Sequence, residues 1–279
     1  ISSFFFTIYL LIFVKKYDYI LVHHTSPPLI SIHPILYGLF HKTIRIYWEL
    51  DLWPETLKSL GIIKSNFILN IIRKIMIKIY SYYDLILVGS IKFKDILESR
   101  YKGDIKYFPN WADQIVEKKS KNKKIKINVP HNHKVIMYTG NIGYAQNFEE
   151  ILKLCFKTIN ENIYWVFIGD GRYKHKLSQI LNDNPKLKVK LINPVKVDMI
   201  KSYIDESDFT LLSLSSNGIF NKTVPAKLQT YMCLSKPIIG LISGEAEDII
   251  RNANCGITLD TSKIEKSVEK IIETVNFDK

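Results

Sequence analysis

An α/β protein built from two doubly wound parallel sheets is what this sequence predicts, on three observations. The chain has 279 residues, more than one compact core usually holds and natural for two. From Tyr17 onward, short apolar runs alternate with longer helical stretches, the signature of βα units around a mostly parallel sheet. Those runs are continuous rather than alternating, as strands covered on both faces require.

In order, the first half offers strands at residues 19–24 (YILVHH), 44–50 (IRIYWEL), 85–90 (LILVGS) and 105–109 (IKYFP), and helices at 4–14, 28–41, 66–82 and 91–100. The opening apolar run ends at Lys15, short of the roughly 20 residues that span a bilayer, so a buried helix is expected. It leads directly into the first strand, as though the chain began within a domain, and a truncated N-terminal domain is expected. Between Glu117 and Asn128 the apolar content gives way to a lysine run, EKKSKNKKIKIN, read as a solvated linker. A partial first domain over 1–113, a linker over 114–133 and a second domain over 134–279 follow. The second half is more regular, with strands at 134–140, 164–169, 188–193, 209–214 and 237–242. Helices are expected near 147–160, 173–183, 197–206, 226–234, 246–253 and 263–275, a Rossmann-like pattern.

Composition narrows the function classes. A hydrophobic fraction of 47%, with 16 Tyr and 14 Phe, supplies real cores and excludes wholesale disorder. The 39 Lys and Arg against 27 Asp and Glu give a formal charge of +12, which favours phosphate esters, nucleic acid or an acidic leaflet as partners. Nucleic acid ranks last, because the cations are dispersed and no RNP, zinc or helix-turn-helix pattern occurs. Cys155, Cys233 and Cys255 are far apart and form no CxxC, so neither a disulfide framework nor a zinc site is suggested, and a reducing cytosol is the expected home. The stretch NFILNIIRKIMIKIYSYYD (66–84) is basic, amphipathic and aromatic at one end. Such a helix either lies on an anionic membrane surface or simply covers the sheet.

In doubly wound sheets, ligands bind at the carboxyl ends of strands, where amides and helix N-termini meet anions. The tips are TGNIG (139–143), GDG (169–171) and SLSSNGIFNKTVPAK (213–227), all expected on one edge. Gly140 and Gly143 permit tight turns and close approach by a phosphate, although any βα turn favours glycine. Neither loop is a P-loop or a GxGxxG fingerprint, so nucleotide hydrolysis and hydride transfer lose weight. Pro225 suits the first turn of a helix, which sets Lys227 beside free amides at the positive dipole end. A cation there is unfavourable unless an anion binds; the rival reading is a lysine that snorkels into solvent.

Several segments, in this order, resemble a family: VIMYTGNIGYAQNFEEIL, FIGDGRYKHKL, TVPAKLQTYMCLSKPIIG and SGEAEDIIRNANCGI, with ELDLWPETLKSLG, DLILVGS and YFPNWAD in the first half. They are similar to the bacterial family-4 glycosyltransferases, nearest the subgroup resembling N-acetyl-fucosaminyl transferases of O-antigen and capsule synthesis. The resemblance implies the GT-B architecture, two Rossmann-like domains facing each other across a cleft with the donor mainly on the second. It also implies retention of configuration, no essential metal, a UDP-sugar donor with no other cofactor, and a lipid-linked saccharide acceptor. No DxD triplet is found. Carried onto this sequence, the donor site comprises Gly140, Asn141, Gly143, Tyr144, Gly169, Gly171, Pro225, Lys227, Leu228, Thr230 and Glu245.

Departures from the family pattern matter. Two glutamates common in the family align with Lys222 and Thr230, so their roles are not carried across. The basic residue that often follows the first glycine loop is replaced by Gln146 and Asn147, which shifts diphosphate binding onto Lys227 and the amides of residues 141–144. At the first strand tip the resemblance implies that His24 contacts the donor sugar, where a strand-end histidine is otherwise a plain hydrogen-bonder. Asp51 and Glu55 are candidate bases for the acceptor hydroxyl, or else a turn residue and a helix-start acid. Glu245 either reaches the nucleotide-sugar or stabilises a helix N-terminus. Asn110 and Asp113 resemble the hinge motif.

The expected function is therefore transfer of a sugar, an N-acetylated deoxyhexose, from UDP to a lipid-linked polysaccharide precursor, in the cytoplasm or on the inner face of the plasma membrane. His24, Asp51 and Lys227 are the catalytic candidates. A UDP-sugar epimerase of the same architecture and a non-catalytic partner are the alternatives.

Overall fold

The computed structural model describes residues 16–24, 28–112 and 125–276. The expected helix at 4–14, most of the lysine linker and Asp113 lie outside them. The chain divides into two compact units, one running to Asn110 and including Asn217–Val224, the other comprising Trp111–Ser216 and the chain from Pro225 onward.

The first unit carries a four-stranded parallel sheet in the order β1-β2-β3-β4: β1 (Tyr19–His24), β2 (Ile44–Glu49), β3 (Leu85–Val88) and β4 (Ile105–Tyr107). Its helices are α1 (Ile32–Phe40), the short α2 (Glu55–Ser59), α3 (Asn66–Tyr80) and α4 (Ile91–Glu98). The first turn of the helix expected from residue 28 is a 3-10 turn over Pro28–Ser31, and α2 starts at Glu55, in keeping with the reading of Glu55 as a helix-start acid. α4 starts where Ser90 caps it, its hydroxyl accepting from Phe93 N at 3.2 Å. Tyr47, Tyr80 and Tyr83 form the centre, with edge-on ring contacts at 5.5 and 5.0 Å.

The sequence placed residues 217–224 in the second domain, yet they group with the first unit. Two serines hold them there: Ile219 N donates to Ser59 Oγ at 2.9 Å, and Ser90 Oγ donates to Lys222 O at 2.6 Å.

The second unit is a six-stranded parallel sheet in the order β10-β9-β8-β5-β6-β7. Its strands are β5 (Lys134–Thr139), β6 (Ile163–Ile168), β7 (Val189–Ile192), β8 (Phe209–Ser213), β9 (Ile238–Leu241) and β10 (Gly256–Thr258). Renumbered from its own start, this is the 3-2-1-4-5-6 order of the Rossmann fold, whose direction reverses between β5 and β8. The helices are α5 (Phe148–Lys157), α6 (Lys174–Asp183), α7 (Val197–Asp205), α8 (Ala226–Cys233), α9 (Glu245–Asn252) and α10 (Ile264–Asn276). β10, three residues long, was not read from sequence.

Helix α5 illustrates why these segments fold as they do. Phe148, Ile151, Leu152 and Cys155 recur on one buried face, while Glu149 and Glu150 in the first turn and Lys157 in the last complement the helix dipole. That face joins a core containing Trp165, Phe167 and Leu211, where the Trp165 indole donates to Thr158 Oγ1 at 3.1 Å. All three cysteines are free.

Candidate functional site

The site grows out of the reversal between β5 and β8. The chain leaves β5 at Gly140 (φ 119°) and β6 at Gly169 (φ 155°), backbone conformations that a side chain would strain. The two turns also touch: a Cβ on Gly169 would fall 1.8 Å from Gly140 O, and one on Gly171 would fall 2.4 Å from Ile142 O. Gly140 N donates to Ile168 O at 2.8 Å and Ile142 N to Asp170 O at 2.6 Å, so the glycine tips form one bonded ledge. On the other side of the reversal, Ser215 N donates to Ala145 O at 2.7 Å and Ser213 Oγ to Gln146 O at 2.8 Å.

Helix α8 closes this ledge. Its Lys227 and Tyr231 stand one turn apart and both reach the end of β5. Thr139 N donates to the Tyr231 hydroxyl at 3.2 Å. The Lys227 ammonium donates to the Tyr138 hydroxyl and lies 4.0 Å from the centre of that ring. Lys227 is so close to Gly140 that a Cβ there would sit 2.7 Å from its Cε and 3.3 Å from its Nζ. Burial lowers the ammonium from its ordinary value of 10.5 to about 7, with no compensating carboxylate among the described residues. Burial also pushes the Tyr138 hydroxyl well up, so it stays protonated and polar without adding negative charge. Lys227 thus sits against the glycine ledge as a desolvated cation with a ring and a hydroxyl for company. This arrangement favours an added anion.

Other expected residues fall out differently. Pro225 is not inside the first turn: with φ −67° and ψ 137° it is the extended cap residue, and the helix opens at Ala226. Leu228 is fully buried and its amide donates to Pro225 O at 2.9 Å, so its side chain packs the core. Thr230 Oγ1 turns back to Ala226 O at 3.3 Å. The amides of residues 141–144 are less open than expected, because Ile142 N is bonded to Asp170 O, and Gly143 N donates to the Gln146 side-chain oxygen at 3.1 Å. Gly171 N is likewise taken by the Asp170 carboxylate at 2.8 Å. Among the described residues, the amides of Asn141 and Tyr144 remain for a ligand. Glu245 is buried in the first turn of α9, two strands from β5 along the same edge.

A hollow of about 540 Å³ opens further along this edge, at the ends of β9 and β10. Of its charged groups, Arg251 donates to Glu247 at 2.5 Å, and Lys270 donates to the backbone oxygen of Thr258 at 3.0 Å.

In the first unit, His24 and Glu49 end adjacent strands and are both fully buried. His24 Nδ1 lies 2.7 Å from Glu49 Oε1, and the Tyr80 hydroxyl donates to Glu49 Oε2. A carboxylate only accepts, so the imidazole carries its proton on Nδ1. His24 Nε2 has no hydrogen-bond partner among the described residues. Asp51 sits partly buried in the loop after β2. Glu55, a candidate base, is instead tied to Arg100 at 2.7 and 3.3 Å and to Arg73 at 3.2 Å, which is a structural role. Tyr138 was missed by the sequence reading, which placed Glu49 at a strand tip and Gln146 after the first glycine loop without the hydrogen bonds they make here. Tyr231 had a visible signal, its one-turn spacing from Lys227. Among the described residues no group of three or more His, Cys, Asp or Glu could hold a metal ion.

Comparison with known proteins places this geometry. The chain is 24% identical over 253 residues to the probable glycosyltransferase WbjE of Pseudomonas aeruginosa, covering 88% of this chain and 62% of the relative. It is 20% identical over 133 residues to the putative colanic acid biosynthesis glycosyl transferase WcaI of Escherichia coli, covering 46% and 32%. The chain thus spans less than two thirds of the curated relatives it matches. Among solved structures, HepE of Anabaena in complex with UDP and glucose superposes with a TM-score of 0.67 at 12% identity, covering 92% of this chain and 68% of that one. The pneumococcal O-GlcNAc transferase GtfA in complex with UDP and GlcNAc gives 0.66 at 11%, covering 100% and 53%. These likenesses show the fold, that of GT-B glycosyltransferases with Rossmann-like domains. The sequence profile of the glycosyl transferases group 1 matches residues 119–278, more than half of the chain. The chain therefore belongs to the glycosyl transferases group 1 family.

Proposed function

We propose that the protein transfers a sugar from a UDP-sugar to a lipid-linked polysaccharide precursor, with retention of configuration and without a metal. It works in the cytoplasm, at the inner face of the plasma membrane, and the sugar is an N-acetylated deoxyhexose. One observation carries the donor half of this reading: the desolvated Lys227 ammonium, without a counter-carboxylate, pressed against the glycine turns where the sheet reverses. UDP bound to HepE and GtfA supports the choice of nucleotide. The names of WbjE and WcaI, the latter tied to colanic acid biosynthesis, support a polysaccharide product.

In this mechanism the bond between the anomeric carbon and the β-phosphate oxygen breaks, and the acceptor oxygen forms the new bond on the same face. Negative charge builds on the departing phosphate, where Lys227 and the amides of Asn141 and Tyr144 stabilise it. Fixed donors aimed at the place where charge develops commonly contribute most of the acceleration in such reactions. The acceptor's proton leaves with UDP. In the first unit His24, held by Glu49, and Asp51 are the other proposed catalytic residues, with Asp51 to orient the acceptor hydroxyl. Glu245 steadies the donor from the start of α9.

The test is calorimetric titration of the protein with a panel of UDP-sugars, followed by turnover with lipid-linked acceptors. Binding of one UDP-sugar and glycoside formation are expected. Failure to bind any UDP-sugar contradicts the reading.

A further inference from the structure

Helix α3 has two apolar stripes, and the fold uses one. Leu69, Met76 and Tyr80, spaced by seven and four, are buried within the first unit. On the far side, Phe67, Ile68, Ile71 and Ile75 are 75%, 46%, 43% and 52% exposed. At 100° per residue these four fall within one broad face whose centre lies nearly opposite the buried stripe. Lys74 and Lys78 are exposed on the same face, each seven residues beyond Phe67 or Ile71 and therefore almost directly above it. A helix that merely covers a sheet needs one apolar stripe, with polar residues outward.

The lysines decide what covers the second stripe. A second copy of this chain would bring like charges together on a face that holds no carboxylate, in a protein of net charge +12. An anionic lipid surface matches both components, because it accepts apolar side chains at the acyl boundary and ammonium groups at the phosphates. The Lys78 ammonium, 5.0 Å over the Tyr82 ring, adds an aromatic of the kind that settles at membrane interfaces. Among the described residues no helix is long and apolar enough to cross a membrane, so the contact made by α3 is a surface one.

We infer that the outer face of α3 docks the protein onto an anionic leaflet, with Phe67, Ile68, Ile71 and Ile75 entering the acyl boundary and Lys74 and Lys78 at the headgroups. The inference rests on the proposed work at the membrane and names the surface that performs it. Its test is separate from the donor site.

Cosedimentation of the full chain with phosphatidylcholine vesicles, with and without phosphatidylglycerol, reads the docking. Binding to the anionic vesicles only, weakened by salt, is expected. The double substitution Ile71→Ser with Ile75→Ser should lower the partition coefficient at least about tenfold. Lys74→Gln and Lys78→Gln should lower it about fivefold each. Circular dichroism and UDP affinity of every variant should stay as in the parent, which separates failure here from failure of the donor-site reading. Absence of binding to anionic vesicles, equal binding by all variants, or a dimer that the isoleucine pair dissolves without any vesicle binding would each overturn the inference.

Discussion

The carboxyl ends of the two sheets handle buried polar groups in opposite ways. In the first unit the Glu49 carboxylate is matched from within, since it accepts from His24 Nδ1 and from the Tyr80 hydroxyl, and both strand-end residues are fully buried. In the second unit the Lys227 ammonium has a hydroxyl and an aromatic ring but no carboxylate among the described residues, and burial lowers its pKa to about 7. A charge matched internally contributes to the fold, whereas one left unmatched beside open turns contributes to binding. The contrast assigns stability chiefly to the Glu49 cluster and donor binding chiefly to Lys227.

Exchanging the two residues' fates tests that contrast hardest. Lys227→Met should cut turnover by about 100- to 1000-fold, the scale seen when one group stabilising a developing oxyanion is removed. Its thermal midpoint should hold or rise at neutral pH. Folding lowers the ammonium's proton affinity, so between pH 7 and 10.5 the unfolded chain binds more protons and this residue's contribution to stability rises with pH. Removing it flattens that slope. A scan of melting against pH for parent and variant checks both signs.

Glu49→Ala should do the reverse. Loss of the carboxylate strands the Nδ1 of His24 and the Tyr80 hydroxyl in the interior, at a cost of about 3 kcal/mol read by urea unfolding. UDP affinity should be unchanged, because that site belongs to the other unit. A large loss of UDP affinity in this variant would break the division of labour.

Gly140→Ala sharpens the picture with a smaller effect. At φ 119° the new Cβ is strained, and it meets Lys227 Cε at 2.7 Å. Displacing the ammonium by even a few tenths of an ångström should weaken UDP about tenfold, measured by calorimetry. Unchanged affinity would mean that the close approach of lysine and turn has no part in binding.

Much of this was legible in the sequence, for physical reasons that differ from residue to residue. The runs YILVHH and IRIYWEL announce strands, and these became β1 and β2, but the expected burial on both faces fails for β1, an edge strand among the described residues on which Tyr19, Leu21 and His23 are exposed. Lys227 stood out because Pro225 marks a helix start, although the proline proved to be the cap residue. What stayed hidden depends on partners distant in the chain. Residues 217–224 join the first unit through Ser59 and Ser90, and no local pattern connects a serine to a loop more than a hundred residues away. Tyr138 reads as an ordinary core residue of β5, and only its position beneath α8 reveals that it supports an ammonium. Gln146 looked like a lost basic residue, yet its side chain occupies the Gly143 amide that a phosphate was expected to use. β10, at three residues, is too short for periodicity to register.

Proton uptake on UDP binding tests the central claim most directly. Free Lys227 titrates near pH 7, and a bound diphosphate raises that value. Well below pH 7 the ammonium is already charged and binding takes up almost no proton. Between the free and bound values each UDP captures one, and affinity falls as the pH rises. Calorimetry at pH 8 in two buffers of different ionisation enthalpy should therefore show uptake of roughly half a proton or more per UDP, abolished in Lys227→Met. Binding without proton uptake in the parent, or equal affinity in parent and variant, would contradict the account.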